Sequence, residues 1–201
     1  MVDSVRIVGI GGSLRPGSSS LAALQAALDG ATKAGADSQL IAVRDLDLPL
    51  YNPHRDVPDP ALQFADIAYR ADAMIWSTPT YHGSVSGSFK NALDWLILLA
   101  DRDPPYLSNK PIGLVTTAGG VQGLQAINSM DFIVRALRAW AVPLVMPVAQ
   151  SWQAFSPRDT SPTNRSPHSC TSSAKRLCAP PASSGGTAAA TTPTSGSSPE
   201  R

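Results

Sequence analysis

An open parallel sheet of five strands with helices on both faces is the architecture this sequence predicts. Three observations lead there. Short apolar runs alternate with stretches of helical period from Val5 to Val148. Parallel neighbours require crossovers, so strictly alternating strands and helices imply such a sheet. Glycine-bearing segments follow the first, third and fourth apolar runs, where an open α/β sheet binds its ligands.

The elements follow in order. Val5 to Ile10 is a short apolar run ending in glycines and reads as a buried strand. Leu21, Leu24, Leu28 and Ala31 recur at three, four and three residues, the period of a helix. Gln39 to Val43 is the second strand, and Pro60 to Arg70 a helix with proline in its first turn. Ala73 to Ser77 is the third strand, followed by a helix from Ser88 to Leu99. Ile112 to Thr117 is the fourth, Gly123 to Trp140 a further helix, and Leu144 to Val148 the fifth strand. In this order the elements suit a flavodoxin-like three-layer α/β/α domain, whose terminal helix has no counterpart after Val148.

Composition divides the chain near Phe155. The protein has 201 residues and a net charge of +1, which gives no electrostatic case for nucleic acid or an anionic membrane. No run of about 18 apolar residues is present for a membrane span, and no signal peptide is visible at the N-terminus. A cytoplasmic protein is expected. From Ser156 to Arg201 the one large aliphatic residue is Leu177, and Val, Ile, Met and aromatic residues are absent. Such a segment buries too little apolar surface to offset about 1–2 kcal/mol per residue of ordering entropy, so disorder is expected. Residues 1–155 then form one domain, and 156–201 a Ser/Pro/Thr/Ala-rich tail. Both cysteines, Cys170 and Cys178, lie in that tail, outside any catalytic constellation. The codons for Arg158 to Pro181 have a second reading. Taken one base earlier, with permitted third bases, they spell GHITDEPVAAQLHELGKEVVRAA, which has a turn, an acidic helix start and an amphipathic pattern. The tail is read either as a frameshift product that replaces a terminal helix or as a natural Ser/Pro-rich extension, and the gene sequence decides between them.

Three loops carry the chemistry. Gly11 to Ser20 combines glycines, the hydroxyls of Ser13, Ser18, Ser19 and Ser20, the guanidinium of Arg15 and a helix start. That donor set suits a terminal phosphate. It is neither a P-loop, which needs lysine where Ser18 stands, nor a GxGxxG turn. Thr78 to Ser88 offers Pro79, Tyr81 and His82 as a wall for a planar heterocycle, with Gly83 and Ser84 exposing main-chain N–H groups. Thr117 to Leu124 adds glycines at 119, 120 and 123 for close approach to the ring's far rim. No Ser/His/Asp order and no HExxH motif is present, which leaves hydrolase and metal chemistry without support.

Gly12-Ser-Leu-Arg15 with its serines, Thr78-Pro-Thr-Tyr-His-Gly-Ser84, and Gly87 followed by Lys90-Asn-Ala-Leu-Asp94 resemble the NADPH-dependent FMN reductase family. The resemblance covers about residues 5 to 155. It implies FMN and NADPH (or NADH) and transfer of hydride from the nicotinamide to flavin N5, then to a flavin, quinone or other small acceptor. It also implies that Ser13, Arg15, Ser18, Ser19 and Ser20 hold the FMN phosphate. Pro79, Thr80, Tyr81, His82, Gly83 and Ser84 would line the isoalloxazine, and Thr117, Ala118, Gly119 and Gly120 close its outer side. No protein nucleophile, acid or metal is implied. A flavodoxin-type electron carrier, or an inactive frameshifted product, is the alternative. Phe89, Leu93, Leu96 and Ala100 mark one helical face, with Trp95, Leu98 and Leu99 as apolar surplus elsewhere. That surplus, and the family's habit, point to a homodimer or homotetramer.

Overall fold

The computed structural model describes residues 4–155, so the expectations for the tail, disorder and a shifted reading frame, lie outside the described residues. Five parallel strands, β1 (Arg6–Gly11), β2 (Asp37–Ala42), β3 (Ala73–Pro79), β4 (Pro111–Thr117) and β5 (Trp140–Val148), run in the order β2-β1-β3-β4-β5. The chain moves outward in one direction from β1 to β2 and in the other through β3, β4 and β5. The switch point therefore lies at the carboxyl ends of β1 and β3.

One helix, α1 (Ser19–Lys33), covers one face of the sheet against β1, β2, β3 and β4. It sits close because β1 presents glycines to it: a Cβ on Gly9 would lie 2.7 Å from Leu28, and one on Gly11 2.7 Å from Leu21. The opposite face carries α2 (Asp59–Arg70), α3 (Gly87–Asp94) and α4 (Gly123–Ala136). Between them and the sheet lies a core built on Ile10, Phe64, Met74, Trp76, Phe89, Ile112, Leu114 and Met130. This is the three-layer arrangement expected. No helix among the described residues is long and apolar enough to cross a membrane.

Two helix boundaries differ from the sequence expectation. Periodicity carries the helix from Gly123 to Trp140, but α4 ends at Ala136. Arg138 adopts left-handed backbone (φ 63), which reverses the chain and lets the Trp140 N–H bond the Lys110 carbonyl at 2.9 Å. Trp140 thus opens β5 instead of closing a helix, and β5 starts four residues earlier than Leu144. The expected helix from Ser88 to Leu99 is α-helical only to Asp94 and tightens to 3-10 geometry over Trp95–Leu99. This tightening hides part of the apolar surplus inside the chain and leaves Ile97 43% exposed. Trp95, Leu96 and Leu99 are buried. The Trp95 indole donates to the Pro49 carbonyl at 3.1 Å and meets the Tyr51 ring edge-on at 5.2 Å. The residues at 95, 96 and 99 therefore require no partner subunit.

Ser86 caps α3 and joins it to the first loop. Its hydroxyl accepts from the Phe89 N–H at 3.2 Å and donates to the Gly12 carbonyl, and it is 2% exposed. Substitution Ser86→Ala removes a cap and one of the two hydroxyl donors to the Gly12 carbonyl, at a cost of about 1–2 kcal/mol. Urea unfolding is expected to show a lower midpoint with an unchanged slope.

Candidate functional site

The loops that follow β1, β3 and β4 meet above the switch point around a cavity of about 870 Å³. The first is pinned from below. The Gly12 N–H bonds the Ser77 carbonyl at 2.8 Å, and the Gly12 carbonyl accepts from Ser86 and, at 2.9 Å, from Ser88. The Ser13 hydroxyl then accepts from the Arg15 N–H at 3.2 Å, curling the loop back toward α1. Ser18 is the N-cap of α1 and takes the Leu21 N–H at 3.2 Å. Ser20 is fixed in turn by the Ser77 hydroxyl, which donates to its carbonyl at 2.8 Å. Ser13, Ser18 and Ser20 are buried, at 2%, 8% and 1% exposure, although they lie in a loop and a first helical turn.

The second loop begins where the Thr80 N–H bonds the Thr117 carbonyl at 2.9 Å, which ties the ends of β3 and β4 together. Tyr81 and Ser84 exchange both backbone hydrogen bonds at 3.0 Å, closing a two-residue turn on His82 and Gly83. Both turn residues have positive φ, 49 and 79, the backbone a tight primed hairpin turn requires. The Ser84 hydroxyl reaches the Ser129 hydroxyl of α4 at 3.2 Å, so this hairpin leans on α4. The third loop is held by the Ala118 N–H on the Val148 carbonyl at 3.0 Å.

Eleven of the sequence-predicted residues line the cavity together: Ser13, Arg15, Ser18, Ser19, Ser20, Pro79, Thr80, Tyr81, Thr117, Ala118 and Gly119. His82, Gly83, Ser84 and Gly120 are neighbours in the chain but do not line it. Sequence reasoning missed a fourth contribution. Past β5 the chain turns through Gln150 in left-handed conformation into one helical turn, α5 (Ser151–Ala154). This places Ser151, Trp152 and Phe155 on the cavity wall. Trp152 lies against Gly119, its ring 3.8 Å from where a Cβ would stand. Leu40 of β2 and Gln25 of α1 also line the cavity. Two aromatic residues directly after the last strand were the available signal.

The electrostatics are one-sided. Among the described residues, Arg15 is the only charged side chain on the lining and no carboxylate is there. It has no ion-pair partner among the described residues. The first turn of α1 adds unpaired N–H groups and a partial positive charge. The Thr80 hydroxyl is buried without a hydrogen-bond partner among the described residues. At one end, then, are a cation, serine hydroxyls and a helix start; at the other are Pro79, Tyr81 and backbone of the Thr117 loop. The arrangement accommodates a molecule that is anionic at one end and flat and uncharged at the other.

Comparison with known proteins agrees with this chemistry. The family model described as NADPH-dependent FMN reductase matches residues 5–153. An NAD(P)H-dependent FMN reductase of Pseudomonas aeruginosa is 36% identical over 126 residues, 60% of this chain and 63% of that protein. An FMN-dependent NADPH-azoreductase of Staphylococcus aureus is 42% identical over 76 residues, 38% of this chain and 37% of that one. The chain thus spans less than two thirds of the length of these relatives. Among solved structures, an apo NADH:FMN oxidoreductase superposes with a TM-score of 0.61 at 24% identity, over 78% of this chain and 81% of that one. An archaeal flavodoxin does so at 0.54 and 13%, over 75% and 91%. At such identities these two likenesses establish the fold, a flavodoxin-like one.

Proposed function

The chain belongs to the NADPH-dependent FMN reductase family, and from that premise we propose that it is an NAD(P)H-dependent FMN reductase or FMN-dependent oxidoreductase. The observation that carries the proposal is a lining of one guanidinium and several hydroxyls with no carboxylate among the described residues. A phosphate needs cationic and hydroxyl donors without a competing carboxylate, and Arg15 with Ser13, Ser18, Ser19 and Ser20 provides that set. The orphaned Thr80 hydroxyl and the flat wall of Pro79 and Tyr81 fit a polar-edged ring. Thr117, Ala118 and Gly119 face it, with His82, Gly83, Ser84 and Gly120 at the rim. FMN held there would supply the redox chemistry: acceptance of hydride from NADPH or NADH, and its delivery to a flavin, quinone or other small acceptor.

The protein's part is binding and orientation. Among the described residues the cavity is lined by hydroxyls, one amide, one guanidinium and apolar groups, which hold and orient a ligand. Arg15 balances phosphate charge. The pinned backbone of Gly12 and Ala118 keeps the loops from shifting as the ring changes charge. A cytoplasmic location and assembly as a homodimer or homotetramer belong to the same proposal and rest on the family resemblance.

The test is an anaerobic titration. The full chain, loaded with FMN and freed of excess, is mixed with NADPH while flavin absorbance is followed. Rapid bleaching is the expected result. Flavin that stays bound and oxidised identifies a carrier instead, and a chain that retains no flavin identifies an inactive product.

A further inference from the structure

The hairpin after β3 is held at its tip by a helix. Its base is anchored where the Thr80 N–H bonds the Thr117 carbonyl at 2.9 Å. Beyond that point Tyr81 and Ser84 satisfy each other's backbone groups across the turn. What reaches outward is the Ser84 side chain, whose hydroxyl donates to the Ser129 hydroxyl of α4 at 3.2 Å. The direction follows from the proton of Ser129, which goes to the Gln125 carbonyl one turn back at 3.1 Å. Ser129 then has only lone pairs to offer, and Ser84 must supply the proton between them. Gln125 and Ser129 stand four residues apart on one face of α4. The hairpin lies close against that face, since a Cβ on Gly83 would stand 2.7 Å from Oε1 of Gln125.

The helix is a fixed support for this contact. Ala126, Ile127, Met130 and Val134 bury its other side. At its start the Thr116 hydroxyl donates to the Gly123 carbonyl at 3.0 Å, and a Cβ on Gly123 would stand 3.2 Å from Cβ of Pro147. α4 is thus seated on the ends of β4 and β5. The second and third loops of the site are therefore joined twice. One joint is at the base, through Thr80 and Thr117; the other is at the tip, through Ser84, Ser129 and α4. These loops place Pro79 and Tyr81 on one side of the cavity's uncharged end, and Ala118 and Gly119 on the other. Their separation is the slot that a flat ring would enter.

We propose that Ser129, which lines no part of the cavity, is a positioning residue for the site. Its hydroxyl holds the hairpin tip, with Tyr81 on it, and so sets the width of the slot. The ring's identity rests on the flavin reading; the hold on the hairpin does not.

Two measurements on the full chain keep these apart. Without flavin, amide hydrogen exchange is followed at Tyr81 and Ser84, whose N–H groups are bonded across the turn. In Ser129→Ala both are expected to exchange about threefold to tenfold faster, the factor to which one hydrogen bond of ordinary net strength corresponds. The Ala118 amide, held by Val148, should keep its rate, and the unfolding midpoint should stay within about 2 °C. With flavin, fluorescence quenching is expected to show FMN and riboflavin weakened alike, again about threefold to tenfold. Both carry the ring, whereas loss of a phosphate contact weakens FMN alone. Ser129→Thr keeps a hydroxyl able to bond the carbonyl four residues back and is expected to restore exchange and affinity. Ser129→Ala added to Ser84→Ala should do no further harm, because the two side chains share one hydrogen bond.

Unchanged exchange in Ser129→Ala overturns the proposal, as does faster exchange with both affinities intact. Failure of Ser129→Thr to restore them, or full additivity with Ser84→Ala, also overturns it. An unsubstituted chain that binds neither flavin overturns the flavin reading and the ring's part in the proposal, and exchange alone then decides the hold on the hairpin.

Discussion

Arg15→Ala is expected to raise the dissociation constant for FMN about 10- to 100-fold and to leave that for riboflavin within about twofold. A hydrogen bond to a charged group is worth about 1.5–3 kcal/mol, and each 1.4 kcal/mol is a factor of ten. Among the described residues, Arg15 is the one charged side chain on the cavity lining. Its contribution to the loop's shape is made by its backbone, through the N–H that the Ser13 hydroxyl accepts. Truncating the side chain therefore removes charge without releasing the loop. Riboflavin has the same ring and lacks the phosphate, which makes it the control. Arg15→Lys should fall between, because an ammonium keeps the charge but loses the two-pronged donor geometry. Quenching of flavin fluorescence measures all three. Equal weakening of FMN and riboflavin would mean that Arg15 supports the fold of the loop and does not bind phosphate.

Gly12→Ala is the substitution expected to cost the most stability. A Cβ on Gly12 would stand 2.5 Å from Cβ and 2.7 Å from Cγ of Phe89. Neither partner has room to retreat. Phe89 is fully buried and meets the Trp76 ring edge-on at 5.8 Å. Gly12 is held at both its N–H and its carbonyl, by Ser77, Ser86 and Ser88. Overpacking of this kind costs about 1–3 kcal/mol, which for a domain of this size lowers the unfolding midpoint by roughly 2–4 °C per kcal/mol. Because Gly12 opens the phosphate loop, FMN affinity should fall with it. Gly30→Ala supplies the contrast. It lies within α1, and nothing stands within 4 Å of its Cβ position. Replacing a helical glycine there is expected to stabilise by up to about 1 kcal/mol. Thermal unfolding of the three proteins in parallel checks both signs.

What was legible before any coordinates follows from local chemistry. β1, β3 and β4 are short apolar runs that mark themselves as buried strands, whereas their central place in the sheet came from the topology. The loop from Gly11 to Ser20 combines a cation, hydroxyls and glycines in ten consecutive residues, so its donor character needed no partner to be seen. The apolar surplus at Trp95–Leu99 is only partly hidden within the chain. Pro49 and Tyr51, more than forty residues earlier in the chain, cover Trp95, while Ile97 stays 43% exposed. Periodicity reports how much apolar surface must be hidden, and not what hides it.

The end of α4 teaches the same lesson from the backbone. The apolar period runs on through Leu137 to Trp140, but Arg138 at φ 63 turns the chain so that Trp140 joins the sheet. A non-glycine residue in that region costs energy by itself, and the strand pairing of β5 with β4 makes up for it. Only contacts far apart in sequence decide such a trade. Likewise Ser151, Trp152 and Phe155 reach the cavity because β5 lies beside β4, which carries Gly119 at its end. By itself the sequence determined the order of elements, the parallel sheet and three of the four segments at the site, since each is written in consecutive residues. The tertiary structure alone decided where α4 stops, what buries Trp95, which residues form the fourth wall and what ties the hairpin tip to α4. Those outcomes depend on free energies shared between segments that no local pattern contains.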